Sequence, residues 1–434
     1  MKQQYDSYKP SGIDWIGDIP SHWVSKRLRY VCEFRNGYTP SKANGEYWAD
    51  GTIPWYRMED IREFGRFLKE SKQSISKDAV KGCGLFEAGS FILATTATIG
   101  EHAMLIVDSL ANQQFTNLKI RKSLNHTVTK EFFFYYLFVI DEFCKSTTKT
   151  TTFPAMDMTD LRNFGVSIPP LAEQEAIAAW LDEKCGEIDA AIAKVDREIE
   201  LIDELKQSEI SRVVTRGLNP NASLRPSGID WIGNIPSHWE IAPVKYSFNL
   251  FAGATPKTEK AIYWDGEIIW ITPADYKTDD HYISKGRKNI TKEGLASCAT
   301  EIVPINSLIF SKRAPIGTVS LAKTPLCTNQ GCISCVPKSA TNSNFFYYSC
   351  RIATKEFEML GSGATFLEIS SSNFANFKMP LPPLTEQQAI ADYLDKKCAE
   401  IDGLKAKLSK KRETLKELRQ SIISEVVTGK RKVI

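Results

Sequence analysis

Two stretches of the chain carry apolar residues in a four-three alternation, the pattern of helices that pack against each other. In 172–216 the stripe consists of Ile188, Ile192, Val195, Ile199 and Ile202. In 385–434 it consists of Ile401, Leu404, Leu408, Leu415, Leu418 and Ile422, with Lys411 interrupting it. Each stretch predicts a helix of about 44 residues, roughly 65 Å long. Such helices are too long to be buried in one small domain.

The two predicted helices are copies of each other. Residues 168–194 and 381–407 share 17 of 27 amino acids, and both segments begin with a Pro-Pro pair that forces an extended entry. Segment 172–216 has a net charge of −6, whereas 385–434 has +4. Opposite signs favour pairing of the two helices over self-association.

The duplication extends through the whole chain. Residues 10–23 and 226–239 match at 13 of 14 positions. Short apolar runs punctuated by Gly and Pro predict mixed strands with a few helices between the long helices. We therefore divide the chain into body 1 (1–171), helix 172–216, body 2 (217–384) and helix 385–434. The predicted class is α+β, with two pseudo-repeated α/β domains separated by two long coiled-coil helices.

The two bodies resemble each other only in patches. The shared patches are Gly-x-Thr-Pro at 37–40 and 253–256, Tyr-Trp at 47–48 and 263–264, Asn-Gln at 112–113 and 329–330, and aromatic runs at 132–137 and 345–350. A shared framework with different loops predicts that the two bodies perform the same kind of function in two different versions.

Composition restricts the function only broadly. The net charge is +3, which leaves +5 for the chain outside the two helices, mildly basic and compatible with nucleic acid. The N-terminus lacks the apolar core of a signal peptide, and the apolar run 132–140 is too short to span a bilayer. We expect a cytoplasmic protein with no membrane association.

The sequence lacks the motifs of a self-contained active site. There is no phosphate-binding loop, dinucleotide fingerprint, zinc-protease helix or nucleophile elbow, and no polar-Pro-Pro-aromatic tetrad of amino-methylating enzymes. Cys327, Cys332 and Cys335 form the only cysteine cluster, and they lack a nearby fourth ligand for zinc. His22 and His238 each precede a tryptophan, and we predict structural roles for them. Neither a catalytic group nor a metal is expected.

These patterns together resemble the specificity subunits of Type I restriction-modification enzymes. The resemblance covers nearly all of the chain and is carried by the Pro-Pro-Leu-x-Glu-Gln helix entries, the Gly-x-Thr-Pro and Tyr-Trp patches, and Arg-Ala-Pro-Ile-Gly (313–317) with Asn-Gln-Gly (329–331). Body 1 departs from it with Thr-Ala-Thr-Ile-Gly at 96–100. The resemblance implies that each body is a target recognition domain reading half of a split DNA site, with the helices as an antiparallel separator.

The resemblance also implies partners. These are double-stranded DNA, two methyltransferase subunits and restriction/translocase subunits, which together methylate adenine or cleave unmodified foreign DNA. The chain itself would be non-catalytic and bind no cofactor, while S-adenosylmethionine, ATP and Mg²⁺ would serve the other subunits. Because the bodies differ, we expect an asymmetric site whose unread spacer follows the helix length.

Candidate DNA contacts follow from base chemistry, since Arg and Lys suit guanine whereas Asn and Gln suit adenine. In body 1 they are Arg57, Thr95, Thr96, Thr98, Asn112 and Gln113, and Lys149 in a polar loop is a candidate phosphate contact. In body 2 they are Thr272, Lys312, Arg313, Asn329 and Gln330. The repeated Asn-Gln pairs could equally brace a loop through backbone hydrogen bonds. Trp55 and Trp270 are predicted core residues, and Trp180 and Tyr393 are candidates for partner docking.

Two other functions stay open. An enzyme in its own right, a nuclease or methyltransferase, is disfavoured by the missing motifs. A coiled-coil scaffold without a nucleic-acid role explains the helices but not two divergent bodies with a net positive charge. DNA binding by the assembled complex that weakens with salt would indicate a recognition subunit, whereas absent or salt-insensitive binding would favour the scaffold.

Overall fold

The computed structural model describes residues 4–147, 154–276, 281–362 and 367–433. The chain forms two compact units. Unit 1 comprises Met1–Asp196 with Lys410–Ile434, and unit 2 comprises Arg197–Ser409. Each unit therefore combines one body with parts of both long helices. The predicted α+β class and internal repeat are confirmed.

Unit 1 is built on a mixed five-stranded sheet. Its strands are β1 (Tyr8–Pro10), β2 (Asp18–Pro20), β3 (Val24–Arg27), β4 (Cys32–Asn36), β5 (Ile53–Tyr56), β6 (Phe67–Leu68), β7 (Ser74–Ile75), β8 (Phe91–Ala94), β9 (His102–Leu105), β10 (Leu110–Ala111), β11 (Phe115–Ile120) and β12 (Gly165–Ile168). Its helices are α1 (Leu28–Val31), α2 (Met58–Phe64), α3 (Lys130–Thr147), α4 (Met158–Asn163) and the first part of α5 (Leu171–Arg216). The main sheet has the order β4-β11-β8-β9-β6, and a smaller sheet has the order β10-β5-β7.

Unit 2 repeats this architecture. Its strands are β13 (Leu224–Pro226), β14 (Asn234–Pro236), β15 (Glu240–Pro243), β16 (Phe248–Ala252), β17 (Trp264–Ile271), β18 (Tyr282–Ile283), β19 (Lys288–Ile290), β20 (Leu308–Ser311), β21 (Val319–Ala322), β22 (Cys327–Thr328), β23 (Cys332–Pro337) and β24 (Lys378–Leu381). Its helices are α6 (Val244–Ser247), α7 (Lys292–Ala296), α8 (Ser343–Ile352), α9 (Thr354–Met359), α10 (Ser371–Asn376) and the first part of α11 (Leu384–Val427). The main sheet, β16-β23-β20-β21-β18, has the same strand order and directions as that of unit 1.

The aromatic runs form buried helices in both units. Nine consecutive residues of α3, from Phe132 to Ile140, are buried, and Phe345 and Phe346 of α8 are equally buried. A helix that is apolar all round must be covered on every side. Among the described residues, no helix is both long and apolar enough to cross a membrane.

The end of each long helix enters a core. Ile423, Val426 and Val427 of α11 are buried in the core of unit 1. In unit 2, Ile210, Val213 and Val214 of α5 are buried at the same spacing. The core of unit 1 is thus completed by the last helix of the chain, and that of unit 2 by the helix that precedes body 2.

Ion pairs set the antiparallel register of the long helices within each unit. In unit 1 they are Asp189–Arg419 at 2.9 Å and Asp196–Arg412 at 3.2 Å. In unit 2 they are Asp203–Lys405 at 2.7 Å and Lys206–Asp402 at 2.6 Å. Asp189, Asp196 and Asp203 are seven residues apart, and their partners step by seven in the opposite direction. The predicted stripe on α11 is wrong at Leu404 and Leu418, which are 50% and 46% exposed, because basic side chains occupy the pairing face instead.

The Glu-Gln pair of each helix entry anchors two parts of the body. Glu173 accepts hydrogen bonds from the Trp23 indole at 2.9 Å and contacts the His22 ring, and Glu386 does the same for Trp239 and His238. The following glutamines are buried. Gln174 accepts from the backbone nitrogen of Thr129 at 2.8 Å, as Gln387 does from Asn342 at 2.9 Å. The helix-entry motif thus has a structural role, and the histidines take part in it.

Candidate nucleic-acid interface

Most of the predicted contact residues converge on one group of loops in each unit. Loop cluster 1 consists of residues 37–40, 57–60, 95–100, 112–114 and 154–156. Loop cluster 2 consists of residues 253–256, 272–275, 312–317, 329–331 and 367–369. Most of these segments adjoin strand ends, so the sheets position them.

The same backbone hydrogen bonds join the loops in both clusters. The nitrogen of Asn112 donates to the Tyr56 carbonyl at 3.0 Å, and that of Asn329 donates to the Ile271 carbonyl at 2.9 Å. The nitrogen of Thr95 donates to the Gln114 carbonyl at 2.9 Å, and that of Lys312 donates to Gly331 at 2.9 Å. The patches that the two bodies share therefore form the same backbone framework in each unit.

The Gly-x-Thr-Pro patch packs against the Asn-Gln turn. A Cβ atom added to Gly37 would lie 2.1 Å from the carbonyl oxygen of Asn112, and one added to Gly253 would lie 2.1 Å from that of Asn329. Only glycine permits this approach. Thr39 donates its hydroxyl hydrogen bond to Gln113, and the hydroxyl of Thr255 donates in the same way to Gln330.

The asparagines and glutamines of these turns have different environments. The side-chain oxygen of Asn112 accepts from the Gln114 nitrogen at 3.0 Å, and that of Asn329 accepts from the Gly331 nitrogen at 2.9 Å. Both asparagines therefore brace their turns, the alternative role that the sequence left open. Gln113 and Gln330 are exposed. Base contact by any of the four stays a prediction.

Two aspartates with buried side chains, which sequence reasoning missed, support the clusters. Asp60 accepts from the backbone nitrogens of Arg57 at 2.6 Å and Lys72 at 2.7 Å. Asp275 accepts from those of Thr272 and Arg287, both at 2.8 Å. The signal in the sequence was an aspartate three residues after each candidate, Arg57 and Thr272, in both bodies.

Cluster 2 contains two adjacent cations held by one carboxylate. Glu368 contacts the Lys312 ammonium at 2.8 Å and the Nε atom of Arg313 at 2.7 Å. Burial raises the pKa of the Glu368 carboxyl, but the hydrogen bonds from the two cations outweigh it, and the pKa lies below its ordinary value. No sequence pattern indicated Glu368 as a site residue.

The equivalent position in cluster 1 is neutral. Thr95 is buried, and its hydroxyl is 2.9 Å from that of Thr116. Thr96 and Thr98 are partly exposed, and Thr96 forms a backbone bridge with Ala155. Cluster 1 thus offers hydroxyl and methyl groups where cluster 2 offers a guanidinium group.

The remaining candidates of body 1 differ in placement. Arg57 lies over the Trp55 ring at 5.8 Å and pairs with Glu59. Lys149 lies outside the described residues. Trp55 and Trp270 are buried, and each donates its indole hydrogen bond at 3.0 Å, to the carbonyl of Tyr38 and of Ala254 respectively. The core role predicted for both tryptophans is confirmed.

The two docking candidates are partly buried on the long helices. The Arg431 guanidinium lies 4.9 Å from the Trp180 ring in unit 1. The Tyr393 hydroxyl donates to Glu209 at 2.7 Å in unit 2. Within the described part of the chain, no group of three His, Cys, Asp or Glu side chains is placed to hold a metal ion.

Comparison with known proteins gives one consistent family. The model of the Type I restriction modification DNA specificity domain matches residues 20–200 and 236–411. The chain is 45% identical over 163 residues to the Type I restriction enzyme EcoprrI specificity subunit of Escherichia coli, which covers 36% of this chain and 41% of that protein. It is 37% identical over 166 residues to the MjaIX specificity subunit of Methanocaldococcus jannaschii, which covers 38% of each. These two matches thus span under half of the relatives' length.

Longer matches have lower identity. The MjaVIII specificity subunit of Methanocaldococcus jannaschii is 24% identical over 431 residues, which covers 96% of this chain and 94% of that protein. A chain from a structural study of complex assembly and conformational transition of the type I R-M system aligns with a TM-score of 0.70 at 20% identity, over 94% of this chain and 98% of that one. The HsdS subunit from Thermoanaerobacter tengcongensis aligns with a TM-score of 0.51 at 19% identity, over 95% and 98%. At these identities the two structures show a shared fold.

Proposed function

The chain belongs to the family of Type I restriction-modification DNA specificity subunits, and from this premise we propose that it reads one asymmetric DNA sequence in two halves. Each unit reads one half through its loop cluster. The observation that carries the proposal is that both clusters have the same backbone framework but different side chains. A repeated framework provides the same docking geometry twice, whereas exchanged side chains provide two different base preferences.

The side chains at the equivalent loop position favour different bases. Arg313 offers the paired donors that suit the O6 and N7 acceptors of guanine. Thr96, the partly exposed equivalent of Arg313, offers a hydroxyl group and a methyl group, and a threonine methyl suits contact with thymine. The two half-sites therefore differ in sequence, and the complete site is asymmetric.

The chain acts as a scaffold without chemistry of its own. Two adenine methyltransferase subunits and the restriction/translocase subunits assemble on it in the cytoplasm, and S-adenosylmethionine, ATP and Mg²⁺ serve those subunits. Trp180 of α5 and Tyr393 of α11 serve as docking residues for these subunits. Normal assembly of the complex after Trp180→Ala and Tyr393→Ala would exclude that role.

Sequencing of methylated adenine tests the proposal. The chain is expressed with its methyltransferase subunits in a host without other adenine methylation, and a matched culture lacks only this chain. We expect one split asymmetric motif to be methylated only when the chain is present. An unchanged methylome, together with an assembled complex that does not bind DNA, would favour the scaffold function. Methyl transfer or cleavage by the purified chain would show an enzyme.

A further inference from the structure

At one position of the loop clusters, the two units have the same backbone hydrogen bonds but different side chains. The nitrogen of Met156 donates to the Thr95 carbonyl at 2.8 Å, and the nitrogen of Ile369 donates to the Lys312 carbonyl at 3.0 Å. The adjacent residues also form matching bridges, Thr96 with Ala155 and Arg313 with Glu368. Three side chains, Lys312, Arg313 and Glu368, thus replace Thr95, Thr96 and Ala155 on the same frame.

The three charged side chains of this group differ in their exposure to solvent, and this difference indicates a different role for each. The Lys312 side chain is 14% exposed and the Glu368 side chain is 28% exposed, whereas the Arg313 side chain is 41% exposed. Both carboxylate oxygens of Glu368 are used, Oε1 by Lys312 at 2.8 Å and Oε2 by Arg313 at 2.7 Å. Lys312 therefore compensates the carboxylate from inside, and Arg313 is the cation that faces solvent.

The contact between Glu368 and Arg313 uses the inner nitrogen of the guanidinium group. The Nε atom donates to Glu368, and among the described residues neither terminal nitrogen of Arg313 forms a hydrogen bond. A bond at Nε fixes the plane of the guanidinium group and leaves its outer pair of donors available. An arginine held in this way loses less side-chain entropy when it binds a planar pair of acceptors.

We propose that Glu368 is a positioning residue that orients Arg313 for reading one guanine in the half-site bound by unit 2. This inference rests on the proposed function, because it requires cluster 2 to contact base edges. The guanine O6 and N7 atoms accept from the two terminal nitrogens of Arg313. The group of three keeps a net charge of +1, so it does not repel DNA.

Two alternative roles for Glu368 would require different contacts of its carboxylate. A carboxylate can accept a hydrogen bond from the N4 amino group of cytosine and so read a base itself. It can also simply repel phosphates. The contacts argue against both, because both oxygens of Glu368 are engaged by cations of its own unit.

The test uses the full chain assembled with its methyltransferase subunits. A pool of randomised duplexes first gives the preferred sequence of the wild type. Affinity is then measured for that duplex and for every single base-pair change in it. The variants are Arg313→Ala, Glu368→Ala, Glu368→Gln and the double variant Arg313→Ala/Glu368→Ala. Glu358→Ala, which removes an exposed carboxylate of α9, is the matched control.

We expect the wild type to prefer one G·C pair by roughly 5- to 150-fold, the range of a good bidentate contact. Arg313→Ala and Glu368→Ala should both lose this preference at the same base pair, with Glu368→Gln intermediate. The double variant should equal Arg313→Ala, and preferences in the other half-site should stay unchanged. Glu358→Ala should behave as the wild type.

Other outcomes overturn the inference. Loss of preference at a different base pair would make Glu368 a reader itself. Tighter binding of Glu368→Ala to all duplexes would make it a repelling charge. Uniformly weaker binding with a lower unfolding midpoint, or no change in base preference, would leave it only a structural role. If the wild type enriches no split sequence, the proposed function itself fails, which is a distinct result.

Discussion

The carboxylate of Asp275 accepts two hydrogen bonds from Thr272, from its backbone nitrogen at 2.8 Å and from its hydroxyl at 2.7 Å. Its second oxygen accepts from the backbone nitrogen of Arg287 at 2.8 Å. A single buried side chain therefore fixes the loop that leaves β17. Asp60 joins Arg57 and Lys72 in the same way in unit 1.

Asp275→Asn should weaken recognition of one half-site. The Asn amide has one oxygen where Asp has two, so its NH2 group faces the backbone nitrogen of either Thr272 or Arg287. That nitrogen loses its acceptor, at a cost of about 1 kcal/mol because neither donor is fully buried. We expect a lower free energy of unfolding in urea and weaker base preference in the half-site of unit 2. Asp60→Asn is the matched variant and should affect the other half-site. Equal effects of both variants on both half-sites would contradict separate reading.

Glu173→Ala should destabilise unit 1. Trp23 is fully buried, and its indole nitrogen has Glu173 as its acceptor at 2.9 Å, so the substitution leaves a buried donor without a partner. We expect a loss of about 1–3 kcal/mol in the free energy of unfolding. Glu173→Gln retains an acceptor and should lose less. Glu175→Ala, on the exposed side of the same helix turn, serves as the control and should change little.

Charge exchange tests the register of the long helices in unit 1. Arg412→Asp places a second carboxylate beside Asp196, while Asp196→Arg/Arg412→Asp restores an opposite pair. The side chains are 36% and 45% exposed, so solvent screens the pair and the single change should lower the unfolding midpoint only slightly. The double variant should recover most of it, and 1 M salt should reduce the difference. Equal unfolding midpoints for the single and double variants would contradict the pairing.

The long helices were predictable because their signals repeat over many turns. The apolar stripes and the opposite net charges predicted that the helices pair, the Pro-Pro entries predicted where each begins, and the family resemblance implied the antiparallel direction. Leu404 and Leu418 were assigned to the stripe by spacing alone, but Lys405, Arg412 and Arg419 make the interhelix ion pairs. Periodicity does not distinguish a leucine on the pairing face from one beside it.

The loop clusters were predictable only where the two bodies repeat. The Asn-Gln turns and Gly-x-Thr-Pro patches stand out by duplication, and the structure brings them together. Glu368 was missed because it lies 55 residues after Arg313 and has Ala155 as its equivalent in body 1. A side chain that serves one body alone leaves no repeat in the sequence, and its contact depends on the tertiary fold.

Acid should remove a stabilising contribution of Glu209. The hydrogen bond from Arg212 lowers the pKa of its carboxyl from 4.5 to about 2, burial opposes this, and the Tyr393 hydroxyl adds to it. Because the pKa is lower in the folded state, the contribution is complete above pH 4.5 and is lost as the pH falls towards 2. We expect wild type to exceed Glu209→Gln in free energy of unfolding by on the order of 2 kcal/mol at neutral pH, less than the full pKa shift implies because solvent screens this partly exposed pair. The difference should vanish near pH 2, and Tyr393→Phe should show a smaller change. A difference that does not depend on pH would contradict the lowered pKa.

Transfer of the arginine and its carboxylate to unit 1 should change the other half-site. Thr96 and Ala155 form the same backbone bridge as Arg313 and Glu368, so Thr96→Arg/Ala155→Glu places both groups on an equivalent frame. We expect the double variant to acquire a preference for guanine at one position of the half-site read by unit 1, while the half-site of unit 2 stays unchanged. Thr96→Arg alone should bind all duplexes more tightly with weaker discrimination, because a mobile cation contacts phosphates as readily as bases. Selection from randomised duplexes by the assembled complex measures both variants. If the single and double variants select the same sequences, the frame rather than the carboxylate orients the arginine.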